Sequence, residues 1–191
     1  MRVVSGICKG KRLLSLKGLA LRPTADRVKE AIFDILQDRF QGQRVLDLFA
    51  GTGALGIEAL SRGACFAVFV EAQVASQEIL QKNIENCGFG KQAEILARDV
   101  ATGIKVLKYR EEAFDLIFLD PPYGKGWGRN TLKALSQNSI LTPDTRIIAE
   151  HSLDEDLEPT PSLERVDQRK YGRTLVSFFQ PVKNDDLLKS H

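Results

Sequence analysis

Histidine and cysteine are scarce in this chain, two of the first and three of the second in 191 residues. Cys8, Cys65 and Cys87 are odd in number and form no CxxC pair. Neither a zinc site nor a disulfide framework is expected, and the thiols should be reduced. No apolar run approaches the roughly 20 residues that cross a bilayer. The opening MRVVSGICKGKRLL lacks the apolar centre of a secretory signal, so a cytoplasmic protein is expected. Low-complexity segments and internal repeats are also missing. What is present, 43% hydrophobic residues, suffices for one globular domain and a small appendage.

The charge is small overall and uneven along the chain. The formal net charge is +2, yet residues 1–30 carry eight Lys or Arg against Asp26 and Glu30, leaving +6 there and −4 elsewhere. A basic arm on a mildly acidic body suits a polyanion, because neutralising phosphates supplies sequence-independent affinity. A solvated tail would show the same composition.

The stretch Val45 to Gly56, VLDLFAGTGALG, organises the rest. A short apolar run carrying Asp47 leads into Gly51, Gly53 and Gly56 and then into a helical pattern. This is the strand, turn and helix that opens a nucleotide-binding α/β unit. Glycines let backbone approach a ligand, and the following helix presents unpaired N–H groups. The spacing also satisfies GxGxxG, with Glu71 twenty residues after Gly51, so a dinucleotide remains open on this stretch alone. Leu119 to Tyr123, LDPPY, follows another apolar run and belongs at the carboxyl end of a later strand. The two stretches together resemble amino-methyltransferases that use S-adenosylmethionine.

Periodicity gives the remaining organisation. Residues 1–21 read as a basic β-hairpin or arm packed on a main domain of residues 22–183, with 184–191 a frayed tail. A helix is expected from about Thr24, a possible cap, with Val28, Ala31, Ile32, Ile35 and Leu36 on an apolar face through about Gln37 and Gly42 as its stop. Strands are expected at 44–49, 66–70, 93–97, 114–119 and 146–151, with helices at 54–61, 74–87, 101–110 and 130–137. A surface loop at 153–162 and a closing antiparallel hairpin at 164–180 complete a mostly parallel, doubly wound sheet.

This places Asp47, Glu71, Asp99 and Asp120 at or beside four strand ends, where open α/β sheets bind ligands. With S-adenosylmethionine as the ligand, Gly51 and Gly53 admit its methionine part, Asp47 faces its ammonium, Glu71 accepts the ribose hydroxyls and Asp99 takes the adenine amine. An exocyclic amino nitrogen on a base is a poor nucleophile because its lone pair is delocalised. If the Asp120 carboxylate and the Pro121 carbonyl accept its two N–H bonds, the lone pair can face the sulfonium methyl. Pro121 and Pro122 stiffen the turn and Tyr123 can stack on the base. Trp127 lies in the glycine-rich YGKGWGR, where it could cover this site or contact RNA, and Lys125 and Arg129 could meet phosphate. Neither His151 nor His191 is placed as a base.

Nearly the whole chain resembles the RsmD-type methyltransferases, which modify a guanine exocyclic N2 in bacterial 16S ribosomal RNA. The matching stretches are GICKGKRL (6–13), RPTADRVKEAIFDIL (22–36), LDLFAGTGALGIEALSRGA (46–64), Glu71, Asp99, LDPPY and KYGRTLVSFF (170–179). The resemblance implies a Rossmann-like class I S-adenosylmethionine-dependent fold, with 16S rRNA in the small ribosomal subunit as the partner and no metal. It adds Phe49 and Thr24 to the cofactor contacts. On the RNA side it casts Arg22 and Arg27 as contacts, beside Lys9, Lys11 and Arg12 of the basic arm and Lys125 and Arg129. Tyr123 stands where some relatives have phenylalanine, and Ala25 where a small hydroxyl residue is common. Asp-Pro-Pro-Tyr alone also fits adenine N6 methylation of DNA or RNA. A NAD-dependent dehydrogenase leaves LDPPY unexplained, and a non-catalytic ribosome-assembly factor leaves the site unused. A monomer is expected, since no surplus apolar surface is evident.

Overall fold

The apolar runs assemble into one sheet with helices on both faces. The computed structural model describes residues 1–16, 23–37 and 39–183. Its elements are α1 (Pro23–Leu36), β1 (Arg44–Leu48), α2 (Ala54–Ser61), β2 (Phe66–Val70), α3 (Val74–Cys87), β3 (Ala93–Leu96), α4 (Val100–Tyr109), β4 (Phe114–Leu119), α5 (Trp127–Ser136), β5 (Leu141–Ser152), β6 (Leu163–Tyr171) and β7 (Thr174–Pro181). The strand order is β3-β2-β1-β4-β5-β7-β6. Strands β3, β2, β1, β4 and β5 are parallel, and β7 pairs antiparallel with both β5 and β6. The mixed sheet with its closing hairpin is as expected. Among the described residues, no helix is long and apolar enough to cross a membrane.

Strands covered on both faces are apolar throughout, and alternate side chains serve two cores. Val45, Phe69, Leu116 and Phe118 join α1, α2, α3 and the N-terminal arm in one core. Leu46, Leu48, Val68, Ile117 and Leu119 join α4 and α5 in the other. Asp47 alternates with Leu46 and Leu48, so its carboxylate is directed to the α2 side.

Several elements depart from the sequence pattern. Helix α1 starts at Pro23, which puts Thr24 inside the first turn rather than at its cap, and it ends before Gln37 at φ 46°, short of Gly42. Phe33 is fully buried while Ile35 is 39% exposed. At about 100° per residue these two positions lie on nearly opposite sides of the helix. Phe33 takes the inner side because its ring meets Phe40 at 5.1 Å and Phe118 at 5.7 Å. Strand β5 begins at Leu141, not Arg146, because residues 142–145 bulge out between the Phe114–Leu141 and Leu116–Arg146 pairings. The buried Thr145 hydroxyl closes that bulge, donating to Phe114 O at 2.6 Å and accepting from Thr142 N at 2.7 Å. Helix α5 starts at Trp127, three residues earlier than expected.

Among the described residues, the arm is a tight loop closed by the antiparallel bridge of Arg2 to Arg12. Its backbone is held by side chains of the main domain. Glu58, fully buried on α2, accepts Val4 N at 2.8 Å and Ser5 N at 2.9 Å, and is paired with Lys29 at 3.3 Å and Arg62 at 3.0 Å. Ser61 Oγ donates to Ser5 O and accepts from Cys8 N. Lys29, one of the eight basic residues counted at this end, is therefore internal: it is 4% exposed and donates to Arg2 O at 2.6 Å. The expected contacts of Arg22 and the tail at 184–191 lie outside the described residues, as does the Thr24 side chain.

Candidate active site

The strand order reverses between β1 and β4, so their outgoing loops diverge and leave a crevice beyond the carboxyl ends. The loop after β1 turns sharply through Phe49 at φ 63°, Gly51 at 55° and Gly53 at 83°. Packing demands glycine at 53, where a Cβ would lie 2.3 Å from Leu80 Cδ1. At 51 the nearest atom to a Cβ is 4.0 Å away, so the protein itself leaves that side of the loop open. A non-glycine residue at positive φ stores strain of about 1–3 kcal/mol. Phe49 carries it here, at the mouth of the crevice.

The four acids behave differently. Asp47 is buried, and its Oδ2 accepts Gly56 N at 2.9 Å, tying β1 to the first turn of α2. Burial pushes its pKa up to about 7; the Gly56 hydrogen bond opposes this and the charge of Glu71 adds to it. Glu71 follows β2 directly and bridges backbone groups, accepting Gly51 N at 2.8 Å on Oε2 and Gln73 N at 2.7 Å on Oε1. Asp99 is exposed and caps α4, accepting Thr102 N at 3.0 Å and the Thr102 hydroxyl at 2.7 Å. Those hydrogen bonds hold its carboxyl below the usual range.

Asp120 stands at the end of β4, beside the glycine loop because β4 pairs with β1. Its side chain reaches solvent on one side while protein crowds the others. Lost hydration, then the charges of Glu150 and Asp47, push its pKa well up. Pro121 is buried, whereas Pro122 and Tyr123 face outward. The Tyr123 hydroxyl donates to Glu150 Oε1 at 3.0 Å and lies 3.4 Å from Thr174 Oγ1. Partial burial pushes its pKa up to about 12. Glu150 on β5 and Thr174 on β7 were not legible as site residues, since nothing in a strand's local pattern says which loop it will face. Trp127 starts α5 and sets its ring edge-on to Phe49, with centroids 6.4 Å apart.

The cations are scattered by comparison. Lys9, Arg12, Arg27 and Lys125 are exposed. Lys11 donates to Asn86 O at 2.7 Å at the end of α3, and Arg129 to Asp156 O at 3.2 Å. His151 is structural: buried, it has Nδ1 2.6 Å from Glu155 O and Nε2 2.9 Å from Ser177 Oγ. Among the described residues, no group of three or more His, Cys, Asp or Glu is arranged to hold a metal ion.

A family model described as conserved hypothetical protein 95 matches residues 1–180. The chain belongs to this family. YlbH of Bacillus subtilis is 37% identical over 181 residues, covering 94% of this chain and 98% of that protein. The Haemophilus influenzae protein named ribosomal RNA small subunit methyltransferase D is 35% identical over 159 residues, covering 82% and 81%. The solved structure of yhhF from Escherichia coli superposes with a TM-score of 0.83 at 25% identity, covering 95% of this chain and 97% of that one. The resemblance to the RsmD-type family is thereby borne out.

Proposed function

We propose that this chain transfers a methyl group from S-adenosylmethionine to the exocyclic N2 of one guanine in 16S rRNA, acting on the small ribosomal subunit as a monomer without metal. The observation that carries the reading is the pairing of β1 with β4. It sets the glycine loop and Asp-Pro-Pro-Tyr side by side at one sheet edge. The family relatives named for small-subunit rRNA methylation support the substrate class.

The residues present fit this cofactor. Gly51 leaves room for a ligand against the loop. Glu150 and Asp47 disfavour charge on Asp120, and Glu71 disfavours it on Asp47, so a ligand bearing an ammonium and a sulfonium is favoured there. Glu71 would hold the ribose hydroxyls through the lone pairs that Gly51 and Gln73 leave free, and Asp99 the adenine amine. Phe49 and Thr24 would line the same pocket. When bound, the cofactor supplies an electrophilic methyl on its sulfonium.

The chain's own residues do the rest. The Asp120 carboxylate and Pro121 carbonyl accept the two N–H bonds of the amino group, directing its lone pair to the methyl. Tyr123 stacks on the base, a contribution of about 1–3 kcal/mol, and Glu150 steadies its hydroxyl. As the N–C bond forms and the S–C bond breaks, the proton released from nitrogen passes to the Asp120 carboxylate oxygen that accepted its N–H. Exposed Lys9, Arg12, Arg27 and Lys125, with Arg22, Lys11 and Arg129, provide contacts for RNA phosphates.

The test uses labelled S-adenosylmethionine and small subunits lacking their own methylation, followed by nuclease digestion and mass spectrometry. N2-methylguanosine at one 16S position, absent with Asp120→Ala, is expected. Methyladenosine would move the substrate to adenine N6 while leaving the cofactor site standing. No transfer to any nucleic acid would overturn the reading.

A further inference from the structure

One face of α3 joins the loop at the proposed cofactor site to the N-terminal arm. Gln77, Leu80 and Asn83 recur every three residues and so lie along one side of that helix. Gln77 Nε2 donates to Glu71 O at 2.8 Å. Leu80 sits where a Cβ on Gly53 would clash. Asn83 completes the row: it is fully buried, and its Nδ2 donates to Thr52 O at 2.9 Å, between Gly51 and Gly53. The same amide group pairs with the arm as a strand would. Nδ2 donates to Leu14 O at 3.1 Å and Oδ1 accepts Leu14 N at 2.7 Å.

Asparagine is a poor helix former, since its side chain competes for backbone partners. In the middle of α3 it satisfies three backbone groups in two segments about 40 residues apart in the chain. Both of its N–H donors and one acceptor lone pair are engaged. Moving the arm at Leu14 therefore moves the amide that holds Thr52. The arm bears Lys9 and Arg12 on its outer surface, so contact with a polyanion falls on the segment that Asn83 anchors.

We propose that Asn83 is a positioning residue that couples the basic arm to the glycine loop, so that RNA docking and cofactor binding reinforce one another. The proposal rests on the methyltransferase reading above. Linkage requires the coupling to be reciprocal: small subunits tighten the cofactor product, and the cofactor product tightens small subunits.

The experiment measures S-adenosylhomocysteine binding by calorimetry, with and without small subunits, for wild type, Asn83→Ser and Leu14→Pro. The second variant removes the N–H that Oδ1 accepts without altering any residue of the glycine loop. Wild type is expected to bind about fivefold or more tighter when small subunits are present, the lower end of common coupling strengths. Both variants are expected to lose that gain and to raise KM for S-adenosylmethionine more than they lower kcat. A fall in Tm with unchanged affinity and unchanged coupling in both variants would show Asn83 to be structural only and overturn the proposal. Absence of S-adenosylhomocysteine binding by wild type would instead overturn the cofactor reading, and the coupling with it.

Discussion

Replacing Glu58 with glutamine tests whether the arm is held by a buried charge network. The carboxylate is fully buried and receives Val4 N, Ser5 N, Lys29 and Arg62. Glutamine is nearly isosteric but leaves the Lys29 ammonium, 4% exposed, with the Arg2 carbonyl as its remaining hydrogen-bond partner. Removing one partner of a buried pair costs about 3–5 kcal/mol, because the other charge stays desolvated. For a chain of this length, where 1 kcal/mol moves Tm by about 2–4 °C, the expected drop is on the order of 6–20 °C. Denaturant unfolding should show a lower midpoint at unchanged slope.

The double variant Glu58→Met with Lys29→Met should recover part of the loss, since the deeply buried ammonium goes with its partner and only the more exposed Arg62 loses its carboxylate. Full recovery is not expected, because the Val4 and Ser5 amides lose their acceptor at about 1–3 kcal/mol each. A Glu58→Gln loss below about 1 kcal/mol, the value typical of a solvated surface pair, would refute the reasoning.

Three further outcomes follow from the site. Asp47 has a folded pKa of about 7 against 3.8 when exposed, so the folded chain keeps a proton that the unfolded chain releases. Its contribution is fully present below pH 3.8 and is lost as pH rises through about 7, on the order of 4 kcal/mol in all; wild type should therefore lose stability relative to Asp47→Asn between pH 5 and 8, and parallel curves would contradict the burial argument. Gly53→Ala should weaken S-adenosylhomocysteine binding severely and lower Tm, since φ is 83° and the new Cβ would meet Leu80 at 2.3 Å. Gly51→Ala meets no clash within the protein but is strained at φ 55°, so it should cost about 1–3 kcal/mol of stability and lower affinity beyond that, and calorimetry beside thermal unfolding separates the two. Tyr123→Phe should keep methyl transfer within about threefold by retaining the stacking ring, whereas Tyr123→Ala should lose about 1–3 kcal/mol of base binding, seen as a raised KM for small subunits in the labelled-methyl assay.

The sequence by itself determined what depends on neighbouring residues. Helices α2 and α3 and strands β2 and β4 begin and end where periodicity, Gly63 and Gly88 indicated, because apolar spacing and chain-reversing residues act locally. The acids at strand ends were legible for the same reason, and so was the pairing of a glycine loop with Asp-Pro-Pro-Tyr.

The tertiary structure alone decided what depends on which strand lies beside which. It turned Lys29 inward to Glu58, set Glu150 against Tyr123, and carried Asn83 between Thr52 and Leu14. Each of these polar contacts spans 27 residues or more. A buried lysine or a helical asparagine looks in sequence like any solvated one, and only the desolvation imposed by packing gives it an obligatory partner. Phe33 displaced Ile35 from the core on the same principle. Helical spacing allowed either, and the rings of Phe40 and Phe118, brought near by the sheet, selected one.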